Sequence, residues 1–156
     1  MSAEQLSQPA ARVRDLLETV VDALDVDGEV VVEEDDEAVR GTVEGEDLGV
    51  LIGRHGQTID ALEHLAVRVA FRDAGERKRV VIDAAGYRAR RAEALERQAE
   101  RAASEAVRFG RPVALDAMVA SERKLVHEFL RERHDVETYS EGEEPDRHLV
   151  VAPVVS

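Results

Sequence analysis

The sequence predicts a mixed α/β protein of the α+β kind, two small units joined by one long helix. Three observations predict it. Stretches with apolar residues at three- and four-residue spacing alternate with short β-branched runs, so helices and strands interleave along the chain. An alanine-rich segment dense in Arg and Glu, Tyr87 to Phe109, separates two such sets of elements. The 156 residues suit two small domains as well as one ordinary one.

From the N-terminus, Pro9 to Asp25 reads as a helix, with Val13, Leu16, Leu17, Val20, Val21 and Leu24 at helical spacing, and Asp27-Gly28 follows as its stop. Val30–Val32 and Ala38–Val43 read as two strands around an acidic turn at Asp35-Asp36. Asp47 caps a short helix ending at Ile52, and Gly53 breaks it. Gln57 to Arg72 is a stronger helix, with Ile59, Leu62, Leu65, Ala66 and Val69 on one face. Arg79 to Asp83 is a strand. The order to this point is α-β-β-α-α-β. The long Tyr87–Phe109 helix follows and stops at Gly110-Arg111-Pro112. Val113 to Leu115 is a short strand and Ser121 to Arg133 a helix that turns Leu125, Val126, Phe129 and Leu130 inward. Val136–Ser140 and His148–Ala152 are strands around the acidic turn Glu141 to Pro145.

Composition narrows the function. There is no cysteine, which excludes disulfides, thiolate metal sites and cysteine nucleophiles. No apolar stretch approaches the ~20 residues that cross a bilayer, and no secretory signal is evident, so the expectation is a cytoplasmic protein without membrane insertion. The net charge of −13 is unevenly spread: residues 1–52 hold 15 acids against 3 basic residues, and residues 53–156 hold 19 against 18. A polyanionic partner therefore meets repulsion at one end and cationic sites further on, at Arg77-Lys78-Arg79, at Arg88, Arg90 and Arg91, and at Arg123-Lys124. Arginine outnumbers lysine 19 to 2, which suits phosphate forks and equally fits a codon bias.

Two short patterns carry the chemistry. Gly53-Arg54-His55-Gly56 stands between two helices. Paired glycines let a backbone come close to a sugar-phosphate chain, and the helix that follows offers free N–H groups at its positive end. Arg54 and His55 add direct phosphate donors. The plainer reading is a tight turn, and spacing alone does not separate the two. Set within the α-β-β-α-α-β order, residues 12–85 resemble a type II K-homology (KH) domain, whose loop clamps about four nucleotides of single-stranded RNA. The resemblance implies that role for Gly53, Arg54, His55 and Gly56. Family loops favour lysine at one middle position; here Arg54 keeps the charge and His55 is the departure.

The second pattern is Arg123 and His127, four apart and so on one helix face, with Lys124 beside them and Arg131 extending the stripe. Such a stripe can grip phosphates, and it can equally be a solvated face with Arg123 paired to an acid. The run from Ser121 to His127, followed by Thr138, Ser140, Gly142, Pro145 and Arg147 in a Thr-x-Ser-x-Gly-x-x-Pro-x-Arg segment, resembles the R-3-H domain, named for an Arg and a His with three residues between them. That match covers residues 86–153 and brings in Arg147. KH followed directly by R-3-H is the arrangement of the Jag family, the SpoIIIJ-associated proteins also called KhpB or EloR. Many members carry an N-terminal Jag domain and a long linker that this sequence does not contain, so functions housed there are not carried over.

The resemblance implies a non-catalytic single-stranded RNA-binding protein, a post-transcriptional regulator linked to cell elongation or division, paired with a small KhpA-like KH protein. Gly53→Asp and Arg123→Ala are each expected to weaken RNA binding without unfolding the chain. Enzyme readings are weak. His127-Glu128 begins a zinc-helix pattern, but Arg131 stands where the second histidine belongs; no phosphate-loop Gly-Lys-Ser/Thr occurs; Asp60, Glu63 and His64 read as a solvated face. No cofactor is implied. The rival reading is a protein-interaction adaptor, or a ribosome-associated factor, that docks a basic partner on the acidic segment from Asp22 to Asp47.

Overall fold

The computed structural model describes residues 5–73 and 75–155, and its chain divides into two units between Arg88 and Ala89. In the N-terminal unit, α1 (Gln8–Ala23) opens with Ser7, whose hydroxyl accepts from the Ala10 amide at 3.3 Å, and with Pro9 in the first turn, where its missing N–H costs nothing. Ala10, Val13, Leu17 and Val21 bury one face of this helix. It stops two residues before the predicted Asp25, because Leu24 is already its cap and Asp25 takes a left-handed φ of 53°. Leu24 is accordingly exposed.

Strand β1 (Gly28–Glu34) pairs antiparallel with β2 (Ala38–Gly45), and β2 pairs parallel with β3 (Arg79–Ala84), in the order β1-β2-β3. A side chain at Gly41 of β2 would place its Cβ 2.6 Å from the Leu17 Cδ1 atom, so the glycine lets α1 lie close against the sheet. Between β2 and β3 come α2 (Gly49–Ile52) and α3 (Gln57–Ala70). Asp47 does not cap α2 as predicted: Leu48 holds that position without a side-chain bond, and Asp47 lies at φ 56°. On α3, Ile59, Leu62, Ala66 and Ala70 are buried, whereas Leu65 faces solvent, and the helix ends at Ala70 rather than Arg72 because Phe71 caps it.

In the C-terminal unit, α4 (Tyr87–Phe109) contributes Leu95, Ala99, Ala102, Ala103 and Ala106 to a core shared with Met118, Val126, Leu130, Leu149 and Val151. Alanines at three- and four-residue spacing allow helix backbone to approach closely, which a chain with five aromatics and no tryptophan requires. Strands β4 (Val113–Ala114), β5 (Val136–Glu141) and β6 (His148–Pro153) form an antiparallel sheet in the order β4-β6-β5. Helix α5 (Ala120–Leu130) ends three residues before the predicted Arg133. Phe129 is 37% exposed instead of packing inward; Val126 and Leu130 alone of its neighbours are fully buried. No described helix is long and apolar enough to cross a membrane.

The turn between β1 and β2 is held by Asp35. Its carboxylate accepts from the Arg40 guanidinium at 2.7 Å and from the amides of Glu37 and Ala38 at 2.8 and 2.9 Å. The Arg40 bond first, then the two amides, hold this carboxyl down from the ordinary 3.8 to about 2. A depressed acid stabilises the fold above its unfolded pKa and loses that contribution as pH falls through the folded one. The stability advantage of wild type over Asp35→Asn is therefore expected to be complete above about pH 4 and to fade as pH approaches 2, read from urea midpoints across that range.

Candidate nucleic-acid interface

The Gly53–Gly56 turn joins α2 to α3, and its conformation is one that side chains resist. Gly53 lies at φ 74°, ψ 176°, a region open essentially to glycine, and a Cβ there would stand 2.2 Å from the Thr58 hydroxyl oxygen. Gly56 lies at φ 79°, and a Cβ there would meet the Tyr87 ring at 2.7 Å. Both glycines are thus demanded by the turn itself, and Gly53→Asp, expected to spare the fold, would deform it. His55 is left-handed as well, at φ 53°. Arg54 and His55 are exposed, Gly56 is buried, and α3 begins without a side-chain cap. The turn therefore offers two donors beside an uncapped helix start.

Asp60 and Glu63 on α3 are more than a solvated face. They clasp Arg88, whose Nη1 reaches Asp60 at 3.1 Å and whose Nη2 reaches Glu63 at 2.8 Å, while its Nε donates to the Ile82 carbonyl at 2.7 Å. Glu63 also accepts from the Ile82 amide at 3.0 Å. Arg91 is similarly committed, to Glu122 at 2.8 Å. The Arg88–Arg91 cluster, read from sequence as a cationic site, therefore includes two arginines that serve the fold.

In the C-terminal unit α5 faces β5 across a cleft of about 420 Å³. Arg123, Lys124 and His127 line it from α5, Thr138, Tyr139 and Ser140 from β5, and Arg147 from just before β6. Arg123 is the deepest of these, its side chain 10% exposed. Its Nη1 donates to the Met118 carbonyl and its Nη2 to a Glu144 carboxylate oxygen at 2.9 Å. The His127 Nδ1 meets the Thr138 hydroxyl, which orients the ring across the strand. Arg147 donates to the Gly142 carbonyl at 2.6 Å. Lys124 is exposed, and so is Tyr139, at 46%.

Four of the five cations and histidines named from the second pattern thus converge. Arg131 does not: α5 has ended at Leu130, and eight residues on from Arg123 the stripe has rotated away from the cleft. Sequence reasoning missed the β5 positions that line the cleft. The alternation of the strand puts Thr138 and Ser140 on the α5 side, where Thr138 meets His127, and turns the exposed Tyr139 ring to the other face, opposite Val150.

Comparison with known proteins accounts for both units. Residues 10–82 match the KhpA/KhpB KH-domain family and residues 93–153 match the R-3-H domain. The RNA-binding protein KhpB of Bacillus subtilis (strain 168) is 36% identical over 146 residues, covering 92% of this chain and 70% of that protein. The chain belongs to the KhpB (Jag) family. The Clostridium symbiosum RNA-binding protein KhpB is 36% identical over 140 residues, and this chain spans 63% of its length. For the Lactiplantibacillus plantarum (strain ATCC BAA-793 / NCIMB 8826 / WCFS1) protein of the same name, identity is 46% over 104 residues and 32% of the length is spanned.

Within this KhpB-family chain, Arg123 and Lys124 differ in what they hold. Arg123→Ala strands the Met118 carbonyl and is expected to cost about 1–3 kcal/mol of stability in urea denaturation while the chain stays folded. Lys124→Ala, at an exposed position, stays within about 0.5 kcal/mol of wild type.

Proposed function

We propose that the chain is a non-catalytic, single-stranded RNA-binding protein that uses the Gly53–Gly56 turn and the α5–β5 cleft. The observation that carries the reading is the cleft: Lys124, His127 and Arg147 line it together with the Thr138 and Ser140 positions of β5. Cationic and imidazole donors grouped with hydroxyls are what the phosphates of an unpaired strand need. Arg54 and His55 at the uncapped start of α3 supply the second contact, with Gly53 and Gly56 keeping side chains out of the way. Relatives bearing the name RNA-binding protein support the same reading.

On this reading residues 12–85 are the KH unit and residues 86–153 the R-3-H unit. Two modest sites on one chain gain from effective concentration when both meet the same strand. The acids of residues 1–52 disfavour bulk nucleic acid, which restrains non-specific binding. The family supports a cytoplasmic role in post-transcriptional regulation tied to cell elongation or division, with a small KhpA-like protein as partner.

The test is binding to a labelled single-stranded RNA over a range of salt. Arg54→Ala, Lys124→Ala and Arg147→Ala are each expected to weaken binding several-fold and to reduce the log–log salt slope by about 0.7. Unchanged affinity in all three, with folding intact by circular dichroism, would overturn the proposal. One feature favours the adaptor as a second reading: Asp25, Asp27, Glu29, Glu44, Glu46 and Asp47 line a single concavity. A partner captured by the adaptor route survives nuclease treatment and is lost when Glu44 and Glu46 become Lys; a partner bridged by RNA is lost to nuclease alone.

A further inference from the structure

Arg123 does not present a bare guanidinium to its cleft. One edge is tied to the Met118 carbonyl, and the other donates to the Glu144 carboxylate at 2.9 Å. The two partners are unequally placed: the Arg123 side chain is 10% exposed, the Glu144 side chain 60%. Carboxylate and phosphate make the same charge-assisted contact with a guanidinium fork. We propose that Glu144 is a built-in competitor at this cleft: its carboxylate occupies the edge of Arg123 that a phosphate of single-stranded RNA takes, and binding exchanges one anion for the other. The inference rests on the RNA-binding reading above and adds the device that limits affinity there.

Three features make the exchange physical. A buried guanidinium edge without an acceptor is costly, so the outer edge of Arg123 keeps one acceptor or another: the Glu144 side chain or a phosphate. Its bond to Met118 does not involve Glu144, so the arginine keeps its place when the carboxylate leaves. The β5–β6 loop is also held without the Glu144 side chain, through the Asp146 amide on the Glu143 carbonyl at 2.8 Å and Arg147 on the Gly142 carbonyl at 2.6 Å. Glu144 can therefore swing into water, where its exposed position makes the loss of one ion pair cheap, without unfolding the loop. The exchange also predicts a signature in salt. A phosphate that displaces Glu144 frees one carboxylate to gather counterions as it releases its own, so Arg123 adds little to the salt slope in wild type.

The test compares wild type with Glu144→Gln and with Glu143→Gln, which removes the same charge one residue away on the same exposed loop. The probe is a labelled oligouridylate of about ten nucleotides, within the site size of small single-strand binders. Glu144→Gln is expected to bind about two- to fivefold tighter, the worth of one solvent-facing ion pair. Its log–log salt slope should steepen by about 0.7, one further phosphate's share. Glu143→Gln should change neither quantity by as much. Weaker or unchanged binding by Glu144→Gln makes Glu144 a support for Arg123 and overturns the inference. Equal tightening by both variants reduces the effect to bulk repulsion and overturns it too. If neither wild type nor Glu144→Gln binds the probe, the RNA-binding reading itself falls; binding by wild type without a gain in Glu144→Gln removes this inference alone.

Discussion

Each unit must bury a face of a three-stranded sheet with aliphatic and alanine side chains, since five aromatics serve the whole chain. That constraint sets the rest. In the N-terminal unit it draws α1 against β2 at Gly41, where a side chain would collide with Leu17, and seats Ile59 and Leu62 of α3 in the same core. In the C-terminal unit it makes α4 a ladder of buried alanines facing Val126, Leu130 and Val151. With these helix faces committed to packing, the start of α3 in one unit and the seam between α5 and the edge strand β5 in the other stay open at the surface.

The arginines divide along the same line. Arg12 holds Asp73, Arg88 holds Asp60 and Glu63, Arg91 holds Glu122, and Arg133 holds Glu100 and Asp135. These pairs clip helices to their neighbours, and they spend cations that a charge count alone would assign to a polyanion. Arg123 stands between the two groups, buried and bonded like the structural arginines yet lining the cleft. With a net charge of −13 the long-range field repels a polyanion, so phosphate contacts on such a chain depend on cations placed locally.

Much of the fold was legible because it rests on local rules. The bounds of α4 are those its composition predicts, and the turn at Asp35 falls where the acids predicted a turn. The errors lie at ends and rims, where local rules compete with long-range ones. Asp47 looks like a cap but takes a left-handed turn, and Leu65 and Phe129 follow helical spacing yet face solvent.

By itself the sequence determined the order of elements, the two-unit plan and the pair of short patterns, since apolar period, glycine and capping chemistry act within a few residues. Only the tertiary structure decided what those patterns can offer. The bond between Arg123 and Glu144 spans 21 positions, that between Arg88 and Asp60 spans 28, and no spacing rule reaches so far. Packing likewise turned Gly53 and Gly56 from permissive positions into required ones, because Thr58 and Tyr87 fill the space a side chain would need. A residue's chemistry is written in its type, but its availability is set by what the fold places against it.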